Sequence, residues 1–184
     1  PDIRNEIVFL GNSITDGGEW CELLENPKAK NRGISGDTTE GVLFRMGVVT
    51  QAKPAMVFLL IGINDLSRGV AQDTVFSNIC KIVERIRTDS PKTRVFVQSI
   101  LPVNDSFGLF KSHTNKTSEV LWVNGRLKEW CANEKVGFID LYSRFKMPDS
   151  EKLNPQFTND GLHLLGDGYL LWANIIKPYL SGKK

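Results

Sequence analysis

The stretch Ala55-Met56-Val57-Phe58-Leu59-Leu60-Ile61 is apolar throughout and stops at Gly62. Its length suits a strand. A strand with one wet face would alternate apolar and polar residues, so a continuous run implies cover on both faces, as in a parallel sheet between helices. Glu6-Ile7-Val8-Phe9-Leu10, ending at Gly11, reads the same way. Three further segments complete the set of expected strands: Lys30 to Ile34, Arg94 to Ile100 and Val136 to Asp140.

Helical patterns alternate with these strands. From Thr74 to Thr88, Val75, Phe76, Ile79, Ile82, Val83 and Ile86 form one apolar stripe, with Asp73 as the expected cap and Pro91 just beyond the end. Thr117 to Asn133 repeats the pattern with Val120, Leu121, Asn124, Leu127, Trp130 and Cys131. Gly166 to Leu180 turns Tyr169, Leu170, Ala173, Ile176 and Leu180 inward. Asp37 to Met46 and a short Glu19 to Leu24 turn are the remaining helices expected. Alternating strand and helix gives an α/β class with a mainly parallel sheet of about five strands. With 184 residues, no repeat and no linker-like break, one domain over residues 1–184 is expected.

Bulk properties remove several function classes. Hydrophobic residues are 41% and charged residues 24% of an ordinary globular composition, and the net charge is +2. No stretch concentrates Lys and Arg as a nucleic-acid surface would, so no nucleic-acid partner is expected. No apolar run reaches the ~18 residues of a membrane span. The chain opens at Pro1 rather than Met, so a missing signal peptide assigns no compartment. Cys21, Cys80 and Cys131 form no CxxC pair, and with two histidines they suggest no zinc site. Cys80 and Cys131 fall on apolar helix faces and are expected as buried free thiols.

In open α/β sheets ligands bind beyond the carboxyl ends of the strands. Here those ends carry Gly11-Asn12-Ser13-Ile14-Thr15-Asp16, Gly33-Ile34-Ser35-Gly36-Asp37-Thr38, Gly62-Ile63-Asn64-Asp65 and, further on, Asn159-Asp160-Gly161-Leu162-His163. Each has an ordinary explanation alone. Ser13 could cap a helix, Asp37 could cap the next one, Asn64-Asp65 could be turn chemistry, and Asp160-Gly161 a plain turn. Together, four strand-end loops each supply one part of a hydrolytic site.

With these blocks the chain resembles the GDSL or SGNH hydrolases, a family of esterases, lipases and acetylhydrolases. The matching blocks run in order from Ile7 to His163. The strongest are Asn31-Arg-Gly-Ile-Ser-Gly-Asp-Thr-Thr39 and the Gly-x-Asn-Asp at Gly62 to Asp65. The family's named residues map to Ser13, Gly36, Asn64 and His163, with Asp160 as the acid three before the histidine. Gly11-Asn12-Ser13-Ile14 departs from Gly-Asp-Ser-Leu, and Asn12 removes a charge beside the nucleophile. The resemblance implies a three-layer α/β/α, flavodoxin-like fold and a serine ester hydrolase without metal or cofactor. The Asn31 block is most similar to the acetylhydrolase branch, including platelet-activating-factor acetylhydrolase catalytic subunits and bacterial carbohydrate acetylesterases. That implies a small-molecule or carbohydrate ester as partner. Lysophospholipases and thioesterases of the same family are the alternative.

The chemistry agrees. A serine hydroxyl needs a base to take its proton. His163 has Asp160 three residues upstream to hold Nδ1–H, which leaves Nε2 for Ser13. His113 lies in a polar loop with no acid close by in sequence. The oxyanion needs fixed donors, for which the Ser13 and Gly36 N–H groups and the Asn64 amide are candidates. Asp65 is expected to tie a nearby loop. The long segment Val103 to Thr114 carries Phe107, Leu109 and Phe110, which could line a pocket. Rival folds fit less well. An α/β-hydrolase serine would sit in G-x-S-x-G, but position 15 is Thr. A nucleotide or flavin binder would need a phosphate loop, and Asp16 repels phosphate. A non-catalytic carbohydrate-binding module would have no use for the full Ser, Gly, Asn, Asp and His set.

Overall fold

The computed structural model describes residues 5–181. The chain alternates as expected: β1 (Ile7–Gly11), α1 (Ser13–Asp16), α2 (Trp20–Leu23), β2 (Ala29–Gly33), α3 (Thr39–Phe44), α4 (Met46–Gln51), β3 (Met56–Leu60), α5 (Ile63–Ser67), α6 (Gln72–Asp89), β4 (Arg94–Gln98), α7 (Lys111–Thr114), α8 (Thr117–Glu134), β5 (Gly137–Ile139), α9 (Tyr142–Phe145) and α10 (Gly166–Leu180). The strands form one all-parallel sheet in the order β2-β1-β3-β4-β5, with helices on both sides. This is the three-layer, flavodoxin-like arrangement. The order reverses direction beside β1, which places the β1 and β3 carboxyl ends at the switch point.

Register explains the apolar runs. Phe9 pairs with Phe58, and Phe58 with Phe96, across three neighbouring strands. Their rings stack at 5.1 and 4.9 Å, and Trp20 of α2 lies flat on Phe9 at 4.0 Å. Trp172 of α10 meets Trp20 edge-on at 4.7 Å. It also donates its Nε1–H to Gln98 Oε1 at 2.7 Å, so its one polar atom is satisfied in the core. The intervening residues Val8, Leu10, Val57, Leu59, Val95 and Val97 point to the opposite face. Helices α3 and α4 pack against α6, and α6 against α8. Asn124 is buried on the apolar stripe of α8 because it replaces a strand partner. Its Oδ1 accepts from Ile100 N–H at 2.8 Å and its Nδ2 donates to Ile100 C=O at 2.9 Å, just past the end of β4.

Several local expectations shift. Ala71, not Asp73, occupies the cap of α6, and Asp73 lies in the first turn. The Asp37 to Met46 helix is two helices, α3 and α4, meeting at Arg45, and its cap is Thr38, which accepts from Gly41 N–H. Leu121 and Leu170 are exposed, at 41% and 56%. Their helices are rotated so that Val123 and Trp172 face inward instead. Cys80 and Cys131 are buried free thiols and Cys21 is exposed. Burial pushes both buried thiols up to about 12. Among the described residues no helix is long and apolar enough to cross a membrane.

Phe58 lies between two other rings at the centre of the sheet. Replacing it with Ala should cost about 3–5 kcal/mol, the usual range for a buried Phe. Urea unfolding of Phe58→Ala should show a lower midpoint with an unchanged m-value. A loss under about 1 kcal/mol would mean the aromatic layer is not the core support described.

Candidate active site

Ser13 is the first residue of α1, directly after β1. The cap is Asn12, not Ser13. Asn12 is fully buried, and its Oδ1 accepts from Ile14 N–H at 3.1 Å. The serine hydroxyl is therefore not spent on the helix. Asn12 Nδ2 has no partner among the described residues. The turn is tight on all sides. A Cβ on Gly11 would lie 2.3 Å from Leu60 C=O, and one on Gly33 would lie 2.2 Å from Asp16 N, so α1 sits directly on β2. Asn31 of β2 donates from Nδ2 to the carbonyls of Thr15, Asp16 and Gly18 at 3.1, 2.8 and 3.0 Å. Tyr169 of α10 donates to Ile14 C=O at 2.8 Å.

The Ser13 Oγ lies 3.1 Å from His163 Nε2, 150 residues away in sequence. His163 Nδ1 lies 2.7 Å from Asp160 Oδ2. A carboxylate only accepts, so Nδ1 carries the proton and Nε2 of the neutral ring faces the serine O–H. The loop is built around Asp160. Its Oδ1 accepts from the backbone N–H groups of Leu162 and His163, each at 2.8 Å, and from Thr158 Oγ1–H at 3.2 Å. Burial opposes the charge of Asp160. The Leu162 and His163 N–H groups and the His163 ring outweigh it and hold the carboxyl below its ordinary value. Gly161 adopts φ +84°, and a Cβ there would lie 2.0 Å from Asn104 C=O. Asn104 N–H donates to Gly161 C=O at 2.8 Å, which ties this loop to the segment after β4.

Gly36 is exposed at the tip of the turn after β2, with φ +77°, and its N–H has no acceptor among the described residues. Arg68 donates to Gly36 C=O at 2.8 Å. Arg45 holds the base of the turn by donating to Asp37 Oδ2 at 2.8 Å and to the Gly11 and Arg32 carbonyls. Asn64 lies on α5, right after Gly62, is 7% exposed, and donates from Nδ2 to Asp37 C=O at 2.8 Å. One Nδ2 hydrogen thus steadies the amide and the other is left over. Asp65 is buried and accepts from Thr39 N–H and Oγ1–H, the latter at 2.6 Å. It ties α5 to the start of α3, as expected. Burial raises its pKa against those bonds.

The Val103 to Thr114 segment divides in two. Phe110, at φ +47°, holds its ring 5.0 Å from the His163 ring, edge to face. Phe107 lies behind Gly161, in a groove with Met147 and Pro155. His113 is the residue with no motif to announce it. Its Nε2 lies 3.1 Å from Asn64 Oδ1, and its ring is 6.0 Å from Phe110. Thr158 and Asn104 were equally silent, since a lone Thr or Asn in a loop has no periodic signature. Among the described residues no group of three or more His, Cys, Asp or Glu is placed to hold a metal ion.

The GDSL-like Lipase/Acylhydrolase family model matches residues 9–171 of the chain. Platelet-activating factor acetylhydrolase IB subunit alpha1 of Bos taurus is 34% identical over 174 residues, covering 91% of this chain and 72% of that protein. A GDSL-like lipase of Bacteroides thetaiotaomicron VPI-5482 superposes with a TM-score of 0.84 at 27% identity, over 100% of this chain and 90% of the other. A catalytic mutant of an acetylxylan esterase from Geobacillus stearothermophilus shares the fold, with a TM-score of 0.75 at 18% identity over 96% and 94% of the two chains.

The depressed Asp160 carboxyl makes a signed prediction. Its stabilisation is fully present above the unfolded value of about 3.9 and is lost as pH falls through the lower folded value. Wild type should therefore be more stable than Asp160→Asn near neutrality, with the gap in thermal midpoint narrowing below about pH 4. A gap that stays constant on acidification would remove the charge-based account of this loop.

Proposed function

The chain belongs to the GDSL-like lipase/acylhydrolase family and is a carboxylic ester hydrolase, and we propose that it cleaves short acyl esters, acetyl esters of carbohydrates among them, through an acyl-enzyme on Ser13. The observation that carries this is the hydrogen-bonded series from Ser13 Oγ through His163 to Asp160, at 3.1 and 2.7 Å. Ser13 Oγ attacks the ester carbon as His163 Nε2 takes its proton. The carbonyl oxygen becomes an oxyanion, received by the Ser13 and Gly36 N–H groups and the spare Asn64 Nδ2 hydrogen. The intermediate collapses, and His163 returns the proton to the departing alcohol oxygen. Water then repeats the sequence on the acyl-enzyme, releasing the carboxylic acid and restoring Ser13. Asp160 stays ionised and stabilises the transient imidazolium.

Short acyl groups are favoured by two considerations. The bovine relative is named an acetylhydrolase, and the acetylxylan esterase shares the fold. In addition, the Phe110 ring stands against the ring of His163, the base that faces Ser13. Exposed Ile34, Leu109 and Leu165 lie within two residues of Gly36, Phe110 and His163 in the chain.

Purified protein assayed on a series of acyl-chain lengths, with acetylated sugars included, should be fastest on acetate. Ser13→Ala should lose nearly all turnover while keeping its thermal midpoint; more than a few per cent residual activity would exclude Ser13 as nucleophile. Asn64→Ala should lower kcat by about 10²–10³-fold with a much smaller change in KM. A lower thermal midpoint with unchanged kcat would make Asn64 structural.

Phe110→Ala should raise the rate on longer esters relative to acetate. Phe107→Ala, behind Gly161, should leave that ratio alone and lower stability instead. An unchanged chain-length preference in Phe110→Ala would remove the ring from any part in selecting the acyl group.

A further inference from the structure

The chain has two histidines, and both meet the same aromatic ring. Phe110 lies edge to face with His163 at 5.0 Å and with His113 at 6.0 Å. His163 has the carboxylate. The partner of His113 is an amide, and that amide belongs to Asn64.

The chemistry of the groups fixes the orientation of each. Asp37 C=O can only accept, so the atom of Asn64 that faces it at 2.8 Å must be Nδ2. Oδ1 then faces His113 Nε2 at 3.1 Å, and an amide oxygen can only accept. Nε2 must therefore carry a proton. Ser112 Oγ lies 3.3 Å from His113 Nδ1 and can donate to the lone pair that this tautomer leaves there. His113 is pushed below its ordinary pKa by burial, then by the nearby His163 and Arg68. The ring is thus a neutral imidazole with a defined tautomer and both nitrogens occupied.

Resting on Asn64 as an oxyanion donor, we infer that His113 is a positioning residue for that donor. It clamps Oδ1 while Asp37 C=O clamps one Nδ2 hydrogen. The amide plane is then held from two sides, and the second Nδ2 hydrogen has one direction left. A bond donated to Oδ1 also polarises the amide and makes that remaining N–H a better donor. Preorganisation matters here because a donor that must rotate into place loses most of its value at the moment charge forms. The loop after β4 consequently does two things to the site. Phe110 borders the base, and His113, three residues later, aims the oxyanion donor. Deletion or repacking of this loop is felt in the chemistry although, among the described residues, the Ser13 hydroxyl is bonded to His163.

The test is a double-mutant cycle on one acetate ester, with kcat, KM and thermal midpoint measured for wild type, Asn64→Ala, His113→Leu, His113→Gln and Asn64→Ala/His113→Leu. His113→Leu should lower kcat about tenfold with KM within about twofold. His113→Gln, which keeps an N–H donor, should recover most of that loss. In the Asn64→Ala background His113→Leu should cost nothing further, because the group it aims is gone. Wild-type kcat in His113→Leu, with Asn64→Ala still impaired, overturns the positioning role alone. Losses that multiply in the double mutant also overturn it, because His113 would then act on something other than Asn64. Wild-type kcat in Asn64→Ala overturns the donor assignment, and the inference with it. Should His113→Leu fail to fold, nitrogen NMR of wild-type His113 decides the underlying geometry. A proton on Nε2 supports the clamp, and a proton on Nδ1 alone overturns it.

Discussion

The side-chain amide of Asn31 holds together the part of the molecule on which the chemistry depends. Its Nδ2 reaches three carbonyls, those of Thr15, Asp16 and Gly18, while its Oδ1 accepts from Gly33 N–H at 2.8 Å. Those carbonyls lie at and just beyond the end of a helix of only four residues, too short to be stable on its own hydrogen bonds. Thr15 C=O also accepts from Trp20 Nε1–H and Gly18 C=O from Trp20 N–H, so Asn31 completes a set of bonds that fastens this turn to β2. The same contact presses α1 onto β2 at Gly33, where no Cβ fits. Ser13 is therefore placed by a neighbouring strand more than by its own helix. The turn after β2, with Gly36 at its tip, is fixed by the same packing because it starts from Gly33.

Much of this was legible in the sequence, for physical reasons that differ by element. The strands declared themselves because two-sided burial leaves uninterrupted apolar runs, and only both-sided cover explains Val57 to Ile61. Ser13, Gly36, Asn64, Asp160 and His163 stood out because each sits just past a strand, where the backbone turns and polar residues need a reason. The amphipathic helices α6, α8 and α10 were readable as helices, but their rotation was less so. Leu121 and Leu170 satisfy the same spacing rules as Val123 and Trp172, and only tertiary packing chooses between them. The layer of Phe9, Phe58 and Phe96 was hidden for another reason, since strand register is a property of pairs of strands.

What stayed illegible is the support around the site. Thr158 accepts from the N–H groups of Asp160 and Gly161 and donates to the Asp160 carboxylate. Asn104 donates to Leu153 C=O and Gly161 C=O and accepts from Ser106 N–H. Thr158 acts through bonds to its own turn, and Asn104 also through bonds to backbone far away in sequence. Nothing periodic or compositional marks them. Asp65 shows the same difficulty from the other side. It stands beside Asn64 in a recognisable block, yet its carboxylate is buried against Thr39 and faces α3.

The two histidines show how environment divides labour between identical side chains. Each ring has one nitrogen committed to the protein, and the chemistry of that partner decides what the other nitrogen can do. At His163 the committed nitrogen is Nδ1, bonded to a carboxylate, so Nε2 presents a lone pair to a hydroxyl. At His113 the committed nitrogen is Nε2, bonded to an amide oxygen, with burial and a nearby imidazole both opposing charge. A ring that cannot easily become positive makes a poor base and a dependable donor. The Asn64 oxygen that fixes the His113 tautomer also occupies the nitrogen a base would need, while burial opposes the charge. Phe110 meets both rings edge to face, so the two histidines share one aromatic neighbour while keeping separate polar partners.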